Sequence, residues 1–165
     1  MADTFVLVSM TATNGELPQT ISYAEDLYPI MDSSKASCYG SSERGPTLRA
    51  MLRTTLAYYK TEHLGYLITK SAKLNSSEVE LASASICSLI EDIRKKPAQL
   101  ISLHEQPDWS DDDIVDALDF AGDEFVISEW GGEDLPYMVK FLKSHLRVLE
   151  TAKMHNEIVL HACSE

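Results

Sequence analysis

Long apolar runs are missing from this 165-residue chain, and no stretch approaches the eighteen or more residues that a membrane-spanning helix requires. Glycine is sparse at seven residues, and neither GxGxxG nor GxxxxGK[ST] occurs, so phosphate-cradling nucleotide loops are unsupported. The three cysteines, Cys38, Cys87 and Cys163, form no CxxC pair and are odd in number. A disulfide framework is therefore not expected, and a reducing, cytoplasmic setting is the simpler reading. The N-terminus, MADTFVLVSM, lacks the basic segment and long apolar stretch of a secretion signal.

Positive charge is the scarcest commodity. The formal net charge is −12. Residues 1–96 carry ten basic and eleven acidic side chains, whereas residues 97–165 carry four and fifteen. Between Lys96 and Lys140 stand twelve acids and no base, and eleven of them lie in the segment 108–134. Direct binding to nucleic-acid phosphates or anionic lipid needs clustered Lys and Arg, so both are disfavoured. A basic partner is favoured instead.

The remaining composition, 44% apolar and 24% charged, is that of an ordinary globular chain, and the length suits one domain over residues 1–165 with an acidic C-terminal half, 97–165. TFVLVSMTAT reads as a strand ending at an Asn-Gly turn and QTISYA as the next one, so residues 4–23 form a hairpin or two neighbouring strands. Residues 24–46 show no period and read as a long loop. Leu48, Met51, Leu52, Leu56 and Tyr59 recur at helical spacing, with Gly65 as a stop. GYLITK suggests a short strand, and a second amphipathic helix runs from about Ser76 to RKKP. AQLISLHEQPD reads as a strand and loop, residues 111–121 as a short helix capped by Ser110, EFVISEW as a strand, and Pro136 as the opening of the longest helix. EIVLHAC fits a final strand or a continued helix. The expected fold is thus α+β, about four helices on a small mixed sheet, with a parallel α/β arrangement as the alternative.

On the 111–121 helix, Asp112, Asp116 and Asp119 share one face and Ile114, Val115, Leu118 and Ala121 the other. A solvated outer face explains that pattern without any partner, as does the preference of acids for a helix N-terminus. The functional reading is that uncompensated carboxylates repel one another until a basic surface neutralises them. The residues assigned to such a surface are Asp111, Asp112, Asp113, Asp116, Asp119, Asp123, Glu124, Glu129, Trp130, Glu133 and Asp134. The function this implies is that of a non-enzymatic inhibitor, immunity factor or adaptor engaging a basic protein surface. A nucleic-acid-binding cleft would suit, with carboxylates in the places of phosphates, as in DNA mimics. Trp109 and Trp130 bracket the window, where an interface anchor and a core residue are the two readings. No cofactor or metal site is expected, because the EF-hand pattern fits no frame of the acidic segment.

Two constellations bear on chemistry. Cys38 and Arg44 enclose five residues in CYGSSER, a spacing that resembles the phosphate-binding loop of cysteine-dependent phosphatases. The resemblance implies a thiolate nucleophile, an arginine cradle and a general acid such as Asp108, although DSSKAS stands where that family has an apolar strand. This hydrolase is the alternative function. His155, His161 and Cys163 crowd the C-terminus as soft metal ligands, but a tetrahedral site needs a fourth. The helix from Pro136 has an apolar stripe that fits pairing with a second copy as well as packing within one chain.

Overall fold

A computed structural model describes residues 5–42, 48–121 and 134–164. Among the described residues four strands form one antiparallel sheet: β1 (Phe5–Ala12), β2 (Ser37–Ser42), β3 (Ser71–Leu74) and β4 (Ile158–Ser164), in the order β2-β1-β4-β3. Six α-helices accompany it among the described residues: α1 (Tyr28–Met31), α2 (Leu48–Tyr58), α3 (Ser76–Lys95), α4 (Pro97–His104), α5 (Asp111–Leu118) and α6 (Leu135–His155). The fold is therefore mixed helix and sheet. Its sheet is antiparallel, not mixed or parallel, and its helices outnumber the expected four. No helix among the described residues is long and apolar enough to cross a membrane.

Both faces of the sheet are covered, and the sequence of β1 shows why. Its side chains alternate between the two faces. Val6, Val8, Met10 and Ala12 join Leu160 and Ala162 of β4 beneath Ile21, Ala24 and Leu27. Leu7 faces the other way, into the large core built by α2 to α6. Residues 14–31 therefore do not pair with β1 as a hairpin neighbour. They fold over one face of the sheet instead, anchored where the Ala24 amide donates to Ser164 Oγ at 2.8 Å. The chain returns as β2, whose start is fixed by Thr11 Oγ1 accepting from the amides of Lys35 (3.0 Å) and Ala36 (3.1 Å).

Strand β2 lies inside the segment read as a loop, because SCYGSS has no bulky alternation to announce it. Space is the reason. A Cβ built on Gly40 would stand 2.7 Å from Leu48 Cδ2 and 3.0 Å from Phe141 Cδ2, so the helices press directly on the strand and leave room only for small residues. As an outer strand, β2 would expose unpaired backbone groups. Arg147 Nη2 donates to the Ser37 carbonyl at 3.0 Å, and the Ser41 amide donates to Tyr137 Oη at 3.2 Å. Side chains of α6 thereby satisfy part of that edge.

The helix segments obey their sequence signals more closely. α3 is capped reciprocally by Asn75 and Glu78: the Glu78 amide donates to Asn75 Oδ1 at 2.9 Å, and the Asn75 amide to Glu78 Oε1 at 3.2 Å. α2 ends at Tyr58, ahead of Gly65, and the exit uses Lys60 and His63 in left-handed conformations (φ 52° and 64°). GYLITK forms a 3₁₀ turn over Gly65–Ile68, and the strand begins only at Ser71. The expected strand at AQLISLH is α4, opened by Pro97 and closed by Glu105 in the left-handed region (φ 54°). Only Leu100 is fully buried there, so its short amphipathic face mimics a strand pattern. EIVLHAC is β4, an inner strand. The strand expected at EFVISEW lies outside the described residues.

α6 is the organising helix, about 30 Å long at 1.5 Å per residue. Twelve of its residues are buried, among them Phe141, Leu142, His145 and Leu149, and it packs on β1, β2, β4, α2, α3 and α5. Its apolar stripe is filled by the chain's own sheet and helices.

Candidate functional site

The acidic helix α5 is built by its first residues. Ser110 Oγ accepts from the Asp113 amide at 3.3 Å, while Asp113 Oδ2 accepts from the Ser110 amide at 2.8 Å and from its hydroxyl at 3.0 Å. Asp111, Asp112 and Asp113 occupy the first turn, where the helix dipole favours negative charge. Ile114, Ala117 and Leu118 are buried against the core, which turns Asp111, Asp112, Asp116 and Asp119 outward. Asp113, in contrast, is half-buried and committed to the cap.

Not all of these charges are uncompensated. Asp119 lies 3.1 Å from Arg94 Nη1, and Arg94 belongs to the basic last turn of α3 with Lys95. The fold therefore brings bases of the first half beside acids of the second, which the charge tally could not show. Asp111, Asp112 and Asp116 make no ion pair with a described residue. They form the free part of the face.

Around α5 the junction is held by one amide side chain. Gln106 Oε1 accepts from Trp109 Nε1 at 3.1 Å and from the Leu135 amide at 3.0 Å, tying the approach to α5 to the start of α6. Trp109 is half-buried against the core with its indole N–H satisfied, so it serves the core reading of the two offered by sequence. Asp134 precedes α6 as its N-cap residue, half-buried, and loss of water raises its carboxyl above the usual range. Asp123, Glu124, Glu129, Trp130 and Glu133 lie outside the described residues.

Cys38 does not stand in an open loop. It is on β2, 2% exposed, and burial pushes its thiol up to about 12, with Arg147 opposing only in part. Buried in the core with its thiol raised, Cys38 lacks the exposure and thiolate character that favour a nucleophile. Arg44 lies outside the described residues. The C-terminal trio is likewise dispersed: His155 is exposed at the end of α6, while His161 and Cys163 are buried on β4. Among the described residues no group of three or more His, Cys, Asp or Glu comes together to hold a metal.

The structure does assemble a polar cluster that the sequence reading missed. Register places Cys38, Ser9, His161 and Ala72 in one row across the four strands. Ser9 Oγ and His161 Nδ1 are 2.9 Å apart. Above them the Tyr66 hydroxyl meets His145 Nε2, and the His145 ring stacks on Phe141 at 6.3 Å. Burial holds both imidazoles neutral, His145 down to about 3 with His161 as a second cause, and His161 down to about 4. The carbonyls of Thr69 and Leu67 offset part of the effect at His161, although its Nε2 has no partner in hydrogen-bond geometry. His145 Nδ1 has none either. Ser9, His145 and His161 are fully buried and act on packing, while Tyr66 is only partly buried. The missing sequence signal is cross-strand register, which joins residue 9 to 161.

Compared with protein-family models, with curated proteins and with solved structures, the chain matches none. The exposed face of α5 is the part of the structure that corresponds to the charge asymmetry of the sequence.

Proposed function

We propose that this protein is a non-enzymatic binding protein whose acidic face engages a basic protein surface, as an inhibitor, immunity factor or adaptor. The supporting observation is that Asp111, Asp112 and Asp116 are exposed together on α5 without a cation paired to them among the described residues, on a chain of net charge −12. Mutual repulsion of such carboxylates raises the energy of the free protein, and a partner of opposite sign removes it. A cleft that ordinarily holds phosphates offers the matching potential. A cytoplasmic setting belongs to the same reading, supported by three cysteines outside any disulfide.

The test is capture on the immobilised protein beside its Asp111→Asn/Asp112→Asn/Asp116→Asn variant. The expected partner is retained at about 50 mM salt, released towards about 500 mM, lost on the variant, and displaced by a double-stranded oligonucleotide when its nucleic-acid cleft is the contact. Equal capture by the variant sinks the proposal.

A further inference from the structure

A second feature lies at the other end of α3. The first turn of α3 and the last turn of α6 enclose a pocket of about 180 Å³ lined by Ser76, Val79, Glu80, Ala152, Lys153, Asn156 and Glu157. Glu157 is only 7% exposed, and its Oε1 is buried without a hydrogen-bond partner among the described residues. Its backbone is fixed, because the Glu157 amide donates to the Ala152 carbonyl at 2.9 Å across the left-handed Asn156.

Three neighbouring donors are already engaged. The Glu78 amide is taken by Asn75 Oδ1 and the Val79 amide by the Asn75 carbonyl, while Ser76 Oγ donates to Asn156 Oδ1 at 3.4 Å. Lys153 is exposed and makes no ion pair with Glu157 or Glu80. A buried carboxylate without a donor is costly, and a cation inside the pocket removes that cost. The walls choose the kind of cation. Only two carboxylates line the pocket, too few to surround a bare divalent ion, and behind them stand the fully buried Val79 and Ala152, which give metal-bound water no hydrogen bond and tolerate an alkyl stem.

We propose that this pocket binds a guanidinium or primary ammonium group carried on an alkyl stem, with Glu157 as its counter-charge and Glu80 at the rim. The proposal stands apart from the acidic face of α5 and does not depend on it.

The experiment is a titration of the ¹⁵N-labelled full chain with agmatine at low salt, followed by amide shifts. Saturable shifts confined to residues 76–80 and 152–158, with a dissociation constant of about 1 mM, are expected. Glu157→Gln weakens binding about tenfold or more, and exposed Glu80→Gln, which cannot unfold the core, weakens it two- to threefold. Butylurea, neutral and of similar shape, produces no saturable shift. A capped Gly-Arg-Gly peptide separates the two sources of such a group: binding equal to agmatine identifies a protein side chain, and binding by agmatine alone a free small cation. Absence of saturation with agmatine to about 50 mM, equal binding by butylurea, unchanged binding by Glu157→Gln with its fold intact, or displacement by millimolar magnesium overturns the assignment.

Discussion

Acid should unfold this protein earlier than its carboxylates alone require, and the buried pair His145 and His161 is the cause. Both imidazoles are neutral in the folded chain, with pKa values of about 3 and about 4, against an unfolded value of 6.5. A folded pKa below the unfolded one means that the unfolded chain takes up the proton first. Stability is therefore complete above pH 6.5 and is lost as pH falls towards the folded values. At pH 5 each unfolded histidine gains about 2 kcal/mol from protonation while its folded counterpart gains almost nothing, so the pair removes about 4 kcal/mol. That is a large part of the 5–15 kcal/mol a domain of this kind possesses. With a urea slope of about 2 kcal/mol/M, the midpoint moves down by about 2 M between pH 7 and pH 5. His104, also lowered by burial, adds to the loss, and Asp134, raised by burial, opposes it. The assay is urea unfolding at both pH values for the native chain and for His145→Gln/His161→Gln. The variant starts less stable, because the Tyr66 and Ser9 contacts change, but its midpoint loses most of the pH dependence. A native midpoint that moves by less than about 0.5 M, or a variant with the same pH dependence, refutes the account.

Three other outcomes follow from the packing. Gly40→Ala places a methyl against Leu48 and Phe141 and should cost about 1–3 kcal/mol, read as a lower urea midpoint; an unchanged midpoint shows that the helices can yield. Under native conditions at pH 8 a thiol reagent should titrate one cysteine promptly, exposed Cys87, and all three only in denaturant, since Cys38 and Cys163 are buried; fast labelling of Cys38 contradicts its burial. Ser110→Ala removes the side-chain half of the α5 cap and should cost about 0.5–2 kcal/mol in thermal or urea unfolding, with amide exchange rising first at residues 111–114.

Local chemistry was legible wherever a segment carries its own reason for its shape. The 3.6-residue repeat of α2, α3 and α6, the Ser110 to Asp113 cap and the β-branched run of β1 all appear in the sequence because periodicity and capping act over a few residues. The same holds for one side of the candidate site: alternating Asp and apolar residues fix which face of α5 turns outward. Segments whose shape is imposed by neighbours were not legible. β2 is a strand because it pairs with β1, where Leu48 and Phe141 leave no room for a side chain at Gly40, and α4 is a helix although its few apolar residues permit a strand.

What the chain decided by itself is therefore its charge asymmetry, its principal helices and the outward face of α5, since each depends on residues a few positions apart. The tertiary structure alone decided the rest. It set Arg94 against Asp119, buried Cys38 and His161 in one row with His145 of α6 close by, and left Glu157 Oε1 between two helix ends with no donor among the described residues. Those outcomes join residues that are distant in sequence, and only sheet register and helix packing bring them within reach of each other's charge and hydrogen bonds.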